Sequence, residues 1–178
     1  MLKQVLDFWF MEIEPAQWWT RDTALDADIR KRFGRTHRAA ALGELEPWRK
    51  HPEGRLAEII VLDQFSRNIH RDSPLAFACD GMALALAQEA LRMRADEQVA
   101  LERRAFFYMP YMHSESLAIH RAALELFSRP GAEHNYEFEL KHKAIIDRFG
   151  RYPHRNAILG RESTPEEIDF LSQPGSSF

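Results

Sequence analysis

Hydrophobic positions recur at the spacing of an α-helix along most of the chain. Val5 and Trp9 show this spacing near the start, and Leu25, Ile29 and Phe33 show it again further on. Strict alternation of hydrophobic and polar residues, which marks half-buried strands, is almost absent. The pattern predicts an all-α protein of about eight helices.

Capping residues and helix breakers set the boundaries of these predicted helices. Pro110 is expected to interrupt one of them, because proline lacks the backbone N–H and clashes with the preceding turn. The first predicted helix ends before Pro15, and the second runs from a cap at Asp22 to Gly43. The next three span 53–69, 81–94 after a cap at Asp80, and 99–108. The last three are one capped by Ser114, one over 132–149 with Gly150 beyond it, and one capped by Thr164.

Short connectors between these helices favour antiparallel neighbours. Segments 80–94 and 114–128 are both rich in Ala and Leu, and their separation of about 34 residues is typical of a helix-pair repeat. We interpret the pattern as a tetratricopeptide-like stack of antiparallel helix pairs. The 178 residues fit one domain, 1–178, and the tail 173–178 is expected to be frayed.

Composition narrows the classes of function. The chain is 45% hydrophobic and 29% charged, and its net charge of −3 gives no overall attraction to nucleic acid or to an anionic membrane. No apolar run approaches the roughly 18 residues that a membrane span needs, and no signal peptide is recognisable. We therefore expect a cytoplasmic protein with no nucleic-acid and no membrane partner. Cys79 is the single cysteine, which excludes an intrachain disulfide.

The first polar segment lies on the helix predicted for 53–69. Asp63 and Arg67 stand four residues apart, a spacing at which helical side chains pair. Gln64 and Asn68 follow on the other side of the apolar stripe. One interpretation is an ion pair along the helix, and the other is a pocket that Arg67 and Asn68 help to line.

The second polar segment follows Pro110 and contains His113, Ser114 and Glu115. Free backbone N–H groups at a helix start near Ser114 would attract an anion, whereas Glu115 would suit the same helix end with no ligand. A metal site is disfavoured, because the His-x-Glu spacing does not place both side chains on one helical face.

The third polar segment, 142–156, has the highest density of hydrogen-bonding side chains. Phe138, His142, Ile145 and Phe149 form one predicted apolar stripe, so His142 is expected to face the core. The charged and polar residues around the helix end are Arg148, Arg151, His154, Arg155 and Asn156. They satisfy the last helical carbonyls in one interpretation and form an arginine clamp for carboxylate or phosphate in the other.

Together the three segments resemble domain-of-unknown-function family 924, an uncharacterised bacterial family. The matching stretches are 62–71, 107–115, 142–156 and 159–164, and the similarity extends over nearly the full length. The resemblance implies a tetratricopeptide-like helical fold and a grouping of the matched polar positions, but no known activity. Ser66 and His70 depart from the family pattern, in which a proline and an aromatic residue usually occupy these positions.

We therefore expect the polar segments to converge on one cleft. Its expected ligand-binding residues are Asp63, Arg67, Asn68, His113, Glu115, His142, Arg148, Arg151, His154, Arg155 and Asn156. The favoured hypothesis is a binding module for a small acidic ligand or an acidic peptide end, with Arg67, Arg151 and Arg155 on the anion. A hydrolase-like enzyme using His and Glu as acid and base is the second hypothesis. A purely structural polar network is the third. No cofactor and no metal are expected.

Overall fold

Helices and short helical turns account for most of the backbone. The structure, a computed structural model, describes residues 1–176, and no strand occurs among them. Helix makes up 73% of these residues, so the predicted all-α class is confirmed.

Eight helices follow one another through the described residues. The third, α3, is a continuous run over 52–69, in which Pro52–Ile60 and Ser66–Ile69 flank a π-helical turn at Val61–Phe65. The others are α1 (Leu2–Asp7), α2 (Thr23–Ala41), α4 (Asp80–Arg92), α5 (Leu101–Met112), α6 (Leu117–Phe127), α7 (Tyr136–Phe149) and α8 (Pro165–Leu171).

The helices pack in sequence order. From α2 to α7 each helix packs against the next, and α3 also contacts α1 and α5. This order agrees with short connections between neighbours, while the tetratricopeptide-like arrangement itself stays a prediction.

The core is centred on α3, because other helices cover it on several sides. The Phe65 ring lies 5.0 Å from Phe33 of α2 and 5.6 Å from Trp9, measured between ring centroids. Trp9 in turn lies 5.7 Å from Phe106 of α5. Burying one such ring stabilises the fold by about 2–3 kcal/mol, so this aromatic cluster holds the N-terminal half together.

Local signals end several helices where the sequence predicts. The Asp22 side chain accepts hydrogen bonds from the backbone N–H groups of Ala24 and Leu25 and so caps α2. Thr164 and Glu167 form a capping box at the start of α8. Gly150 ends α7 with a φ of 68°, a left-handed conformation that glycine adopts at low cost.

The predicted break at Pro110 was wrong. Pro110 lies inside α5, and seven of its helical neighbours from Ala105 to Met112 are also buried. Burial of this continuous apolar surface outweighs the local cost of a proline, which is about 3 kcal/mol.

Because α5 continues to Met112, the next helix starts later than predicted. Ser116, and not Ser114, occupies the N-cap position of α6. Asp80 was likewise predicted as a cap, but it is the first residue of α4, and Cys79 precedes it at the cap.

The C-terminal segment after α8 is tied to the end of that helix. Gln173 donates its backbone N–H to the Phe170 carbonyl at 3.0 Å, and Ser176 Oγ donates to the Leu171 carbonyl at 3.2 Å. Ser177 and Phe178, which belong to the tail predicted to fray, lie outside the described residues. None of the helices described is both long enough and apolar enough to cross a membrane.

Two helical glycines give opposite predictions for the same substitution. A Cβ at Gly54 would lie 1.9 Å from the Trp48 carbonyl oxygen, whereas a Cβ at Gly34 would meet no atom within 4 Å. Gly54→Ala should therefore lower the free energy of unfolding by about 1–3 kcal/mol. Gly34→Ala should raise it by about 0.5–1 kcal/mol, because alanine favours helix. Urea denaturation of both variants tests this, and equal effects would contradict the close approach at Gly54.

Candidate functional site

A cleft of about 360 Å³ opens beside the start of α4, the end of α5 and the helical turn Pro153–Arg155. Its lining contains a polar group and a largely apolar group of side chains, which we call the polar wall and the apolar wall. The polar wall is formed by Asp80, His113, Ser114, Glu115 and Arg155, and the apolar wall includes Pro74, Phe77, Leu84, Pro110 and Leu159. The volume is in the range of a small-molecule site.

Behind the polar wall, Asp63 is almost fully buried, with its side chain 1% exposed. It lies in the π-helical turn of α3, a type of irregularity that is frequent at functional sites. Its carboxylate is 2.7 Å from His113 Nδ1, accepts from Gln64 Nε2 at 2.7 Å, and lies 3.1 Å from Arg67 Nη1. Burial raises the pKa of Asp63, but His113 and Arg67 lower it more, so the carboxyl stays ionised.

His113 ends α5 and connects this buried carboxylate to the cleft. Because Asp63 is ionised and can only accept, His113 Nδ1 carries the proton of their hydrogen bond. Burial and Arg67 lower the pKa of His113, so the ring is neutral at pH 7. Nε2 then holds a lone pair, and no residue within 1–176 is hydrogen-bonded to it.

Asp80 joins two arginines from distant parts of the chain. Arg67 donates from Nη1 and Nη2 to the two Asp80 carboxylate oxygens at 2.9 and 3.1 Å. Arg155 Nη1 donates to Asp80 Oδ2 at a longer 3.3 Å. The predicted pairing of Asp63 with Arg67 is also present, so the four charges form one chain from the core to the cleft.

Arg155 is held in place by aromatic rings and by a helix end. Its guanidinium carbon lies 4.6 Å from the ring centroids of both Phe77 and Tyr152. Nη2 donates to the His113 carbonyl at 3.0 Å, which satisfies an exposed group at the end of α5. Arg155 Nε is buried and has no hydrogen-bond partner among the described residues. Burial and the nearby Arg67 lower the pKa of Arg155.

Glu115 belongs to a second set of polar residues, which we call the C-terminal network: Glu115, Arg151, Asn156, Arg161 and Glu167. Glu115 accepts from Arg161 at 2.7 and 2.9 Å and from the Tyr152 backbone N–H at 2.7 Å. Burial raises the pKa of Glu115, but these donors lower it more. The carboxylate therefore fixes the chain after α7 against the start of α6.

The rest of the C-terminal network is satisfied internally. Arg151 donates to both Glu167 carboxylate oxygens at 2.6 and 2.8 Å. Asn156 Nδ2 donates to Glu167 Oε2 at 3.3 Å, and Asn156 Oδ1 accepts from Arg161 Nε at 3.0 Å. Hydrogen bonds from Arg151 above all lower the pKa of Glu167 to about 2. Arg151 is thus engaged with a carboxylate of the chain itself.

Tyr152 lies at the centre of a buried group of histidines. His142 and His154 have ring centroids 5.7 and 5.4 Å from that of Tyr152, and His142 Nδ1 is 2.7 Å from the Phe138 carbonyl. His120 is fully buried and pairs with Glu139 at 2.7 Å. Burial lowers the pKa of His142 to about 3 and that of His154 to about 4. His142 and His154 are therefore neutral at pH 7.

The buried face of α7 differs from the predicted stripe by one position. Phe138 was expected inside but is 48% exposed, and Glu139 is fully buried in its place. The His120–Glu139 hydrogen bond satisfies one carboxyl oxygen inside the protein, whereas Glu139 Oε2 has no hydrogen-bond partner among the described residues.

Two residues expected in the cleft lie elsewhere. Asn68 donates to Asp26 of α2 at 2.8 Å, next to the Arg71–Asp26 ion pair. Arg148 is 48% exposed and pairs with Glu166. Helix position alone explains both, because Asn68 faces α2 and Arg148 faces α8.

The eleven predicted residues thus separate into distinct groups. His113, Glu115 and Arg155 line the cleft, with Asp63 and Arg67 hydrogen-bonded directly behind. His142 and His154 surround Tyr152, Arg151 and Asn156 belong to the C-terminal network, and Asn68 and Arg148 lie outside both.

Sequence reasoning missed Asp80, Phe77 and Arg161. Asp80 gave only a helix-cap signal, and nothing in its local sequence indicates two arginine partners. Arg161 carried a weak signal, since it lies in the matched stretch 159–164 close to other polar positions.

The serine nearest to a histidine does not form a nucleophile. Ser66 Oγ donates to the Leu62 carbonyl at 2.5 Å, so His37 Nε2, 2.7 Å away, must donate to Ser66. Burial and His70 lower the pKa of His37 to about 4, in agreement with a neutral ring. Among residues 1–176, no group of three or more His, Cys, Asp and Glu side chains is arranged to hold a metal ion.

The fold and the cleft define an all-helical protein with a buried charge chain that leads to a small pocket. A model of the bacterial family of unknown function DUF924 matches residues 5–175, and the chain belongs to this family. It is similar to the solved structure of a protein of unknown function, ATU0120 from Agrobacterium tumefaciens, with 38% identity, a TM-score of 0.90 and coverage of 96% of each chain. No curated protein matches.

The C-terminal network predicts a difference between two glutamates. Glu115→Gln should lower the free energy of unfolding by about 1–3 kcal/mol, because Arg161 loses its anionic partner in a half-buried site. Glu166→Gln, which breaks the exposed pair with Arg148, should change it by less than about 1 kcal/mol. Denaturation with hydrogen exchange over residues 151–171 tests this, and equal protection in both variants would contradict the network.

The neutral buried histidines predict a loss of stability on mild acidification. Their pKa values in the folded state lie below the usual 6.5, so the unfolded chain binds more protons as pH falls below that value. Each such histidine should therefore reduce stability between pH 6.5 and 5, with a slope that rises towards about 1.4 kcal/mol per pH unit at the lower end. His142→Gln should make urea-derived stability less dependent on pH, whereas exposed His134→Gln should not. A slope that is unchanged in His142→Gln would contradict the assignment.

Proposed function

We propose that the cleft binds a small organic acid, with its carboxylate at Arg155 and its apolar part against Phe77, Leu84 and Leu159. The observation that carries this proposal is that Arg155 lines the cleft and reaches a carboxylate only through the 3.3 Å contact of Nη1 with Asp80, which Arg67 shares. A guanidinium that is incompletely paired costs free energy, and a ligand that accepts a hydrogen bond from it recovers part of this cost. A charge-assisted bond to a carboxylate is the stronger kind.

The local charges support an anion at this position. Arg67 and Arg155 share the one carboxylate of Asp80, and the Arg155–Asp80 contact is the longer of the two. Repulsion from Arg67 and burial both disfavour the Arg155 cation. A second carboxylate beside Arg155 would offset both effects, because interactions between charges are strong where water is excluded.

The dimensions of the cleft favour a small acid over a peptide end. About 360 Å³ is near the lower limit for small-molecule sites. Phe77, Leu84 and Leu159 give the cleft an apolar wall for a short hydrocarbon portion. Arg151, which the sequence grouped with the clamp, is paired with Glu167, so the proposed site uses Arg155 with Arg67 behind it. The cytoplasmic location and the absence of a nucleic-acid partner stay predictions.

Thermal-shift titration with sodium acetate, butyrate and hexanoate at constant ionic strength tests the binding proposal. The melting temperature of the wild type should rise, and more so for the longer acids, because apolar burial adds to the carboxylate contact. Arg155→Met should weaken binding at least about tenfold. Arg148→Met, an exposed arginine outside the cleft, is the matched control and should bind like the wild type.

A second variant, Asp80→Asn, tests acid binding independently of any loss of stability in Arg155→Met. Without ligand this variant should lose about 3 kcal/mol of stability, because the buried Arg155 and the partly buried Arg67 lose their shared anion. Acetate should then stabilise it more than the wild type. Equal acid-induced shifts in the wild type, Arg155→Met and Arg148→Met, or no shift in any variant, would contradict the proposal.

A further inference from the structure

The Asp63–His113 pair has a geometry that acid binding does not require. Asp63 is buried and ionised, and its 2.7 Å hydrogen bond fixes the proton on His113 Nδ1. The other ring nitrogen, Nε2, holds its lone pair on the edge of the imidazole away from Asp63. His113 borders the open cleft, and no described residue is hydrogen-bonded to Nε2.

We propose that Asp63 and His113 form the general base of a hydrolytic site, which cleaves an ester of the acid that the cleft binds. His113 is the catalytic residue, and Asp63 is a positioning residue that acts through it. The inference rests on the proposed acid-binding cleft, because the acid is the product of the reaction. Arg155 contacts the carbonyl oxygen of the ester before cleavage and the carboxylate of the acid afterwards.

Water is the nucleophile that the surroundings of His113 allow. Ser66 is fully buried and donates to the Leu62 carbonyl. Ser114 Oγ accepts from the Ser116 backbone N–H at 3.2 Å and is not hydrogen-bonded to His113. No hydroxyl or thiol among residues 1–176 is hydrogen-bonded to His113, whereas the open cleft admits water.

The proposed reaction has two steps. In the first, the water oxygen bonds to the ester carbonyl carbon, one water proton moves to His113 Nε2, and the carbonyl oxygen takes the negative charge. In the second, the carbonyl re-forms, the C–O bond to the alcohol breaks, and the proton on Nε2 moves to the departing alkoxide. The products are the acid and an alcohol, and no other reactant is needed.

The charged neighbours suit these two steps. Asp63 stabilises the imidazolium that forms when Nε2 takes the proton, as a buried carboxylate does beside a catalytic histidine. Arg155 lies on the same wall of the cleft, where its guanidinium stabilises the negative carbonyl oxygen. Glu115 takes no part as acid or base, because Arg161 and the Tyr152 N–H already bind both of its oxygens.

Hydrolysis of p-nitrophenyl acetate, butyrate and hexanoate tests the inference. His113→Gln should reduce kcat/KM at least about 100-fold, the usual effect of losing a general base. His134→Gln removes an exposed histidine outside the cleft and should leave the rate unchanged, which excludes ester cleavage by surface imidazoles. Acid-induced thermal shifts should persist in His113→Gln, which shows that the variant is folded and that acid binding is separate from turnover.

Asp63→Asn distinguishes positioning from a purely structural role. The charged or titratable groups that face His113 are Asp63 and Arg67 of α3, Asp80 of α4, His142 of α7 and Arg155 of the following turn. Activity should fall at low pH as His113 takes up a proton, and this fall should move to lower pH in Asp63→Asn, because the carboxylate favours the protonated ring. Nitrogen NMR should show the proton on His113 Nδ1 in the wild type.

The outcomes separate the two proposals. The catalytic inference is overturned if His113→Gln hydrolyses the esters at the wild-type rate, or if the wild type hydrolyses none of the three. In either case the acid-binding proposal stands if the thermal shifts remain. A proton on His113 Nε2 in place of Nδ1 also overturns it. Loss of the thermal shifts in the wild type counts against the acid-binding cleft itself.

Discussion

The burial of one carboxylate, that of Asp63, determines much of the arrangement around it. An isolated charge in the core costs several kcal/mol, so it must be surrounded by donors. Gln64 and Arg67 come from the same helix, but His113 comes from the end of α5, fifty residues later. The position of α5 relative to α3 is therefore fixed by electrostatics as well as by aromatic packing.

The demand for counter-charges continues outward from Asp63. Arg67 pairs with Asp63 through Nη1, and Asp80 at the start of α4 accepts from both Nη1 and Nη2 of the same guanidinium. Asp80 then attracts Arg155, whose other amino group satisfies the last turn of α5. Four segments that are far apart in sequence thus meet because each charge requires a partner. The cleft forms where this chain of charges reaches the surface.

Local features of the sequence predicted much of the fold and a smaller part of the site. Asp22, Gly150 and Thr164 act through their own neighbours, so their roles could be predicted without tertiary structure. The same holds for Asp63 and Arg67, which are four residues apart. The two arginine partners of Asp80 could not be predicted, because they come from distant parts of the chain. The side-chain direction of Asn68 could not be predicted either, because α3 is buried on several sides and a helical wheel assumes one buried face.

Pro110 shows the same limit, because tertiary packing overrides its local preference. Its local preference ends a helix, yet the surrounding apolar residues are buried in every direction and keep α5 continuous. The longer helix carries His113 to the position where it meets Asp63, and it moves the start of α6 to Leu117. A helix broken at Pro110 would have left His113 in a loop, without the fixed ring orientation on which a proton on Nδ1 depends.

Arg155 combines a structural bond and the proposed ligand contact, and this limits how a ligand can approach. Its Nη2 group satisfies the His113 carbonyl, so a ligand that broke this bond would also expose the end of α5. Nε has no partner among the described residues, and Nη1 makes only the 3.3 Å contact with Asp80. In the proposed site an acid binds at Nη1, where it competes with Asp80 and leaves the helix end intact. Competition of this kind favours weak, reversible binding, as the proposed hydrolysis requires of its product.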